Sequence, residues 1–144
     1  MQFKIEAVCI SDKKGIQKHA VDKIQVLKDF GIKDDAHSGK WHRQVSLLAG
    51  EDIDTMKAKG LILAPGAFGE NIITRGIDWS KVNIGDLITI DDVKLEITQI
   101  GKECSSPCAI YYTVGECIMP LKGIFTKVLN GGVISAKSRG NYSI

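Results

Sequence analysis

L-I-T-I-D-D-V-K-L-E-I-T-Q-I, Leu87 to Ile100, points to a sheet-rich chain more directly than any other segment. Leu87 to Ile90 and Val93 to Ile100 are rich in β-branched and apolar residues, and Asp91-Asp92 separates them by the spacing of a two-residue hairpin. Downstream, Ile124 to Leu129 and Val133 to Ala136 flank Asn130-Gly131-Gly132, which predicts a second hairpin. Upstream, Phe3, Ile5 and Ala7 alternate with Lys4 and Glu6, the period of a strand with one buried face. Gln44 to Leu48 reads as a buried strand, and Asn71 to Thr74 as the start of another. Val21 to Gly31 fits two periods. Ile24, Val26 and Phe30 suit alternation, whereas Ile24, Leu27 and Phe30 suit a helical face.

Helical signals are few. Gly50 to Gly60 is acidic in its first turn, basic in its last and stopped by glycine, as a helix should be. Pro65-Gly66 marks a loop, and Asp78 to Val82 suits a single helical turn. Many short strands with regular turns predict a mainly β fold: a barrel-like, mostly antiparallel sheet with a few short peripheral helices. The helix near Glu51 to Lys59 is expected to pack outside it. Residues 1–144 read as a single domain, in which the polar stretch Ser138 to Ile144 is expected to fray.

Composition narrows the function classes. Apolar residues make up 44% and charged residues 25% of the chain, globular values that argue against disorder. A formal net charge of +2 without a dense basic stripe gives no reason to expect a nucleic-acid partner. Met1 to Ile10 interleaves charges with apolar residues, unlike a signal peptide, and no apolar run reaches membrane length. The expected setting is cytoplasmic, where Cys9, Cys104, Cys108 and Cys117 stay reduced. Cys104, Cys108 and Cys117 with His37 or His42 would supply four zinc ligands. No second close cysteine or histidine pair accompanies them, which argues against structural zinc. Cys9, inside a strand pattern, reads as core.

Three stretches carry candidate chemistry. In G-K-E-C-S-S-P-C-A-I, Gly101 to Ile110, a turn-prone Ser105-Ser106-Pro107 separates two thiols, and Lys102 flanks Cys104. A nearby cation lowers the cost of the thiolate, the reactive form. The same pair also suits two half-buried small hydrophobes. In Asp34 to Gln44, two acids, His37, Lys40, His42 and Arg43 lead into an apolar strand, a set suited to an oxyanion-binding rim or to surface ion pairs. In F-G-E-N, Glu70 and Asn71 place acceptors and donors beside glycines that permit close backbone approach. No P-loop, dinucleotide fingerprint or G-x-S-x-G elbow is present.

Five ordered blocks together resemble the MOSC domain, the module at the C-terminal end of molybdenum cofactor sulfurases that also occurs as a stand-alone bacterial protein. They are D-A-H-S-G-K-W-H-R-Q-V-S-L-L (Asp35 to Leu48), F-G-E-N-I (Phe68 to Ile72), I-G-D (Ile84 to Asp86), L-E-I-T-Q-I-G-K-E-C-S-S-P-C-A-I (Leu95 to Ile110) and C-I-M-P-L-K-G-I-F-T-K-V-L-N-G-G (Cys117 to Gly132). The resemblance runs from about Phe3 to Ile134 and is greatest to the short version found alone or joined to a molybdopterin-processing domain. Two departures stand out. Asp34-Asp35 replaces a usual Gly-Asp, and no Gly-Asp follows the Gly-Gly turn, which implies a short last strand with an edge left for a partner.

The resemblance implies a MOSC-like β-barrel and a role in molybdenum cofactor metabolism. Cys108 matches the cysteine thought to carry sulfur or bind metal, so it is the candidate catalytic residue and molybdenum ligand, with Cys104 as second ligand. His37, Lys40, His42, Arg43, Glu70, Asn71 and Lys102 are the candidates for binding the molybdenum cofactor (molybdopterin). His37, Lys40, His42 and Arg43 are expected to converge with Phe68 to Asn71 on one pocket near Cys108. The chain has no room for a pyridoxal phosphate site, so sulfur would arrive from a separate cysteine desulfurase, and other molybdenum cofactor enzymes are the further expected partners. The resemblance thus suggests sulfur transfer or cofactor loading. A non-catalytic module with inert cysteines and a reductase subunit are the rival readings. Cys108 is expected to be the most reactive thiol, then Cys104, ahead of Cys9 and Cys117.

Overall fold

A computed structural model describes residues 1–13, 17–101 and 123–143. Lys102, Cys104, Cys108 and Cys117 lie outside the described residues. The strands are β1 (Gln2–Ile10), β2 (His19–Val21), β3 (Lys23–Leu27), β4 (Gly31–Ile32), β5 (Val45–Ala49), β6 (Ile72–Arg75), β7 (Leu87–Ile90), β8 (Val93–Ile100), β9 (Ile124–Asn130), β10 (Gly132–Ser135) and β11 (Arg139–Ser143). Helix α1 spans Gly50–Lys57, and a single 3-10 turn spans Trp79–Lys81. The fold is mostly β, as the strand patterns predict.

Strands in the order β11-β7-β8-β9-β5-β6-β1 form a closed seven-stranded barrel, because β1 pairs back onto β11. Closure removes the open edges that a sheet of this size would otherwise expose. Neighbours run antiparallel except β5 and β6, which are parallel and joined through α1. A second sheet, β10-β3-β4, adjoins the barrel.

Alternation builds the core. Leu47, Ile72 and Ile124 belong to the large apolar cluster that fills the barrel with Val45, Ile88, Leu95 and Ile97. Their neighbours Leu48, Ile73 and Phe125 belong to a second cluster with Ile53 and Met56 of α1 and Phe68. The wall at β5, β6 and β9 is thus buried on both faces, which is why every residue of β5, Ser46 included, is buried. α1 packs outside, as its acidic-to-basic pattern suggests. In β1 a register shift between Ile5 and Ala7 moves the inward face from Phe3 and Ile5 to Val8, whereas Cys9 is buried outside the barrel cluster.

The ambiguous Val21 to Gly31 segment resolves as strand β3, its Ile24 and Val26 buried and Lys23 and Gln25 exposed. The Asp91-Asp92 hairpin forms with Ile90 opposite Val93, and Asp91 takes the positive φ of 51° that such turns require.

Two expectations are corrected. Asn130-Gly131-Gly132 does not fold β10 back onto β9. β10 pairs with β3 instead, because the chain passes so close to β3 at Gly131 that a Cβ there would meet the Val26 carbonyl oxygen. The tail does not fray, nor does the chain end in an unpaired edge. Arg139–Ser143 forms β11, bonded to β1 on one side and β7 on the other. Its residues look polar because Arg139, Asn141 and Ser143 are exposed while Gly140 is buried.

Candidate functional site

The segment between β4 and β5 holds most of the candidate residues, and a buried carboxylate organises it. Asp35 accepts the Ser11 N–H at 3.1 Å, the Lys18 ammonium at 2.7 Å and the His37 N–H at 3.2 Å. Lys18 and Asp35 side chains are wholly buried. The same ammonium stands 2.9 Å from His37 Nδ1. The Lys18 N–H donates to the Gly66 carbonyl at 2.9 Å, so the loop carrying Phe68 to Asn71 is stitched to this cluster.

Farther along, the chain runs to the end of β8. His42 Nε2 pairs with Gln99 Oε1 at 2.8 Å, and Thr98 Oγ1 donates to the His42 carbonyl. Gln99 Nε2 in turn donates to the Gly101 carbonyl at 2.6 Å. The Gly101 N–H reaches the Gly123 carbonyl at 2.7 Å, so both flanks of the cysteine-bearing stretch meet beside His42. Arg43 lies with its guanidinium carbon 4.5 Å above the Trp41 ring and 5.8 Å from the Phe125 ring. Its Nε is buried and has no hydrogen-bond partner among the described residues. A buried donor without an acceptor is costly, and Arg presents a fork matched to phosphate or carboxylate. The Trp41 indole links the two groups by donating to the His37 carbonyl at 2.7 Å.

A family model for the MOSC domain matches residues 34–138, the span that carries all of this arrangement except Ser11 and Lys18. The chain belongs to the MOSC domain family. That family is tied to molybdenum cofactor biology. No curated protein matches the chain. Among solved structures, the YuaD protein of Bacillus subtilis is 20% identical, with a TM-score of 0.82 over 100% of this chain and 97% of that one. YiiM from Escherichia coli is 20% identical, with a TM-score of 0.68 over 100% of this chain and 70% of that one. YiiM from Geobacillus stearothermophilus is 19% identical, with a TM-score of 0.72 over 99% and 75%. At these identities the likeness is one of fold.

Within this MOSC domain the candidate residues divide by burial. Lys40 and His42 are exposed, and His37 and Arg43 half-buried. Glu70 and Asn71 are buried and committed to the protein itself. Glu70 accepts the Gly66 N–H at 3.1 Å and the Phe68 N–H at 3.0 Å, which shapes the loop. Asn71 bridges β1 and β5: its Oδ1 accepts the Ser46 N–H at 3.0 Å and its Nδ2 donates to the Cys9 carbonyl at 3.1 Å. The glycine pattern drew attention to this loop, but these two side chains hold it in place.

The electrostatics follow from burial. Desolvation raises the Glu70 pKa, opposed by the backbone N–H groups of Glu70, Gly66 and Phe68 and by Lys18. Cys9 is pushed up to about 12, first by burial and then by Glu70, with Lys18 acting the other way. Cys9 is therefore a core thiol, as its strand position suggests. Among the described residues no group of three histidine, cysteine or acidic side chains is arranged to hold a metal, and no helix is long and apolar enough to cross a membrane.

Sequence reading missed Lys18, Gln99 and Trp41. Lys18 lies in a lysine-rich stretch with no period to mark it as buried. Asp34, the departure from Gly-Asp, adopts a φ of 68°, the left-handed region where glycine is at ease and aspartate is tolerated. Its extra charge is exposed.

Proposed function

We propose that this MOSC domain acts in molybdenum cofactor metabolism by holding an anionic, phosphorylated ligand at Lys40, His42 and Arg43 and presenting the Cys108 thiolate beside it. The observation that carries the reading is Arg43: a guanidinium stacked on Trp41 with a buried Nε–H that has no partner among the described residues. That orphaned donor, with an exposed lysine and histidine close by in sequence, fits the phosphate of molybdopterin. When bound, the cofactor supplies a redox-active molybdenum with affinity for soft sulfur ligands. Lys40 and Arg43 would hold the phosphate, His42 would line the rim, and Lys102 would favour thiolate in its stretch.

The sulfur step needs no metal. The Cys108 thiolate attacks the terminal sulfur of a persulfide on a cysteine desulfurase, the donor S–S bond breaks, and the donor cysteine leaves as thiolate. Cys108 then carries the persulfide, with Cys104 as a resolving thiol or second ligand. The proposal places this exchange in the cytoplasm.

Mass spectrometry tests it. The protein is incubated with a cysteine desulfurase and cysteine, and separately with molybdopterin. One added sulfur on the Cys108 peptide is expected, lost in Cys108→Ala. Arg43→Gln is expected to weaken molybdopterin binding about tenfold or more, since it deletes a charge-assisted hydrogen bond. Retained molybdopterin with no sulfur on Cys108 would favour the non-catalytic binding module. Unchanged binding by Arg43→Gln would overturn the rim.

A further inference from the structure

We propose that Gln99 is a positioning residue that ties the His42 ring to the Gly101–Gly123 junction, so that an oxyanion engaging His42 steadies that junction.

Thr98 and Gln99 are neighbours on β8, yet both reach His42. Thr98 Oγ1 donates to the His42 carbonyl, and Gln99 Oε1 stands 2.8 Å from His42 Nε2. In a regular strand two successive side chains point to opposite faces. The pairing of β8 with β9 is irregular at this place. Ile97 faces Thr126 and Gln99 faces Phe125, which leaves Thr98 as an extra residue. A bulge re-aims side chains, and here it brings two of them to one histidine.

The orientation of the Gln99 amide follows from its other end. Gln99 Nε2 donates to the Gly101 carbonyl at 2.6 Å, and a carbonyl oxygen only accepts. The amide oxygen therefore faces His42, and His42 Nε2 is the donor of that pair. The Gly101 N–H carries the series on to the Gly123 carbonyl at 2.7 Å. Gly101 is buried and holds a φ of 72°, a conformation that suits glycine. Three hydrogen bonds thus run from an exposed imidazole to a buried junction.

With Nε2 committed to Gln99, Nδ1 is the ring atom that a ligand at this rim would engage. It accepts from a phosphate hydroxyl, or donates to a phosphate oxygen when both ring nitrogens carry protons. A ligand that fixes the ring also fixes the amide, and with it the Gly101 carbonyl. Linkage makes the effect reciprocal: a junction held through Gln99 presents His42 already oriented.

The ligand's part in this rests on the proposed reading of the rim, whereas the tie itself does not. Residue-resolved amide hydrogen exchange on the whole protein tests both, with inorganic phosphate as the probe. Without ligand, the Gly101 N–H is expected to exchange about two- to tenfold faster in Gln99→Met than in wild type, the worth of one hydrogen bond. Methionine matches the length of glutamine and removes both polar ends. Gln99→Asn, whose amide is too short to span His42 and Gly101, is the second variant and is expected to behave alike. Saturating phosphate is expected to slow Gly101 exchange in wild type by about two- to tenfold. The reference is the Asp91 N–H, bonded to the Arg139 carbonyl at the opposite end of β8, which is expected to slow less. Both Gln99 variants and His42→Ala are expected to lose the Gly101 response.

An unchanged ligand-free Gly101 rate in both Gln99 variants would overturn the tie. A glutamine with a merely structural role would leave the phosphate response in place. A response that survives in those variants or in His42→Ala, with phosphate bound, would therefore overturn the coupling. Failure of the wild type to bind phosphate or molybdopterin at all would instead overturn the rim reading, and the ligand-free comparison would still decide the tie.

Discussion

Lys18 Nζ and Asp35 Oδ1 meet at 2.7 Å with both side chains wholly buried. The pair joins the segment before β2 to the turn after β4, two parts of the chain with no strand pairing between them. Removing one partner leaves the other charge stranded in a poorly solvating interior. Lys18→Met is therefore expected to cost about 3–5 kcal/mol. Asp35→Asn should cost a comparable amount, since it weakens acceptance from Ser11 and His37 as well. The double variant should cost clearly less than the sum. Urea denaturation of all four proteins checks this, and additive losses would show that the two side chains are not coupled.

Glu70 gives a pH dependence with a definite sign. Burial raises its folded pKa above the ordinary 4.5, so the folded state binds the proton more tightly than the unfolded chain. Its contribution is fully present below pH 4.5 and is lost as pH rises through the raised folded value. Glu70→Gln removes this slope while weakening the backbone hydrogen bonds that the carboxylate accepts. The stability gap between wild type and variant should narrow as pH rises from about 4 toward neutrality. Chemical denaturation at several pH values measures it, and a gap that widens would reverse the assigned sign.

Cys9 should be silent to thiol reagents in the folded protein. It is fully buried and its pKa is pushed up to about 12, so little thiolate forms and little reagent reaches it. Alkylation near neutral pH with peptide mapping should leave Cys9 unmodified until denaturant is added. Labelling of Cys9 ahead of Cys104 and Cys108 would contradict both its burial and the proposed reactivity order.

Gly140 tests the closure of the barrel. A Cβ at this position would run into the Phe3 ring, across the β1–β11 pairing that shuts the sheet. Phe3 packs edge-on against Trp79, with centroids 5.4 Å apart, and so cannot withdraw freely. Gly140→Val is expected to cost about 1–3 kcal/mol or more through overpacking. A neighbouring exposed change, Asn141→Ser, should cost much less. Equal losses in thermal or urea unfolding would mean that β11 is held loosely.

The strands were legible wherever a side-chain period recurs. Leu87 to Ile100 announces its hairpin because two residues between apolar runs leave little else for the chain to do. Glu51 to Lys57 announces a helix through its charge gradient. Val21 to Gly31 carried two periods, and pairing with β4 and β10 chose the strand. Arg139–Ser143 was opaque for a simple reason: its outward positions are polar, and its buried position facing Phe3 is a glycine, which carries no hydrophobic signal.

The candidate site divides along the same line. Local sequence determined which chemistry was on offer, namely histidines, a lysine and an arginine entering β5, and glycines around Glu70 and Asn71. It also determined the family, since ordered blocks of such residues survive where single motifs do not. Tertiary structure alone decided their uses. Burial turned Glu70 and Asn71 inward to hold the loop, and stacking on Trp41 left Arg43 Nε without an acceptor among the described residues. Lys18, the residue with the weakest local signal, became the partner of Asp35 and His37. Charge pairing and desolvation depend on distances between residues remote in the chain, and no local period records those distances.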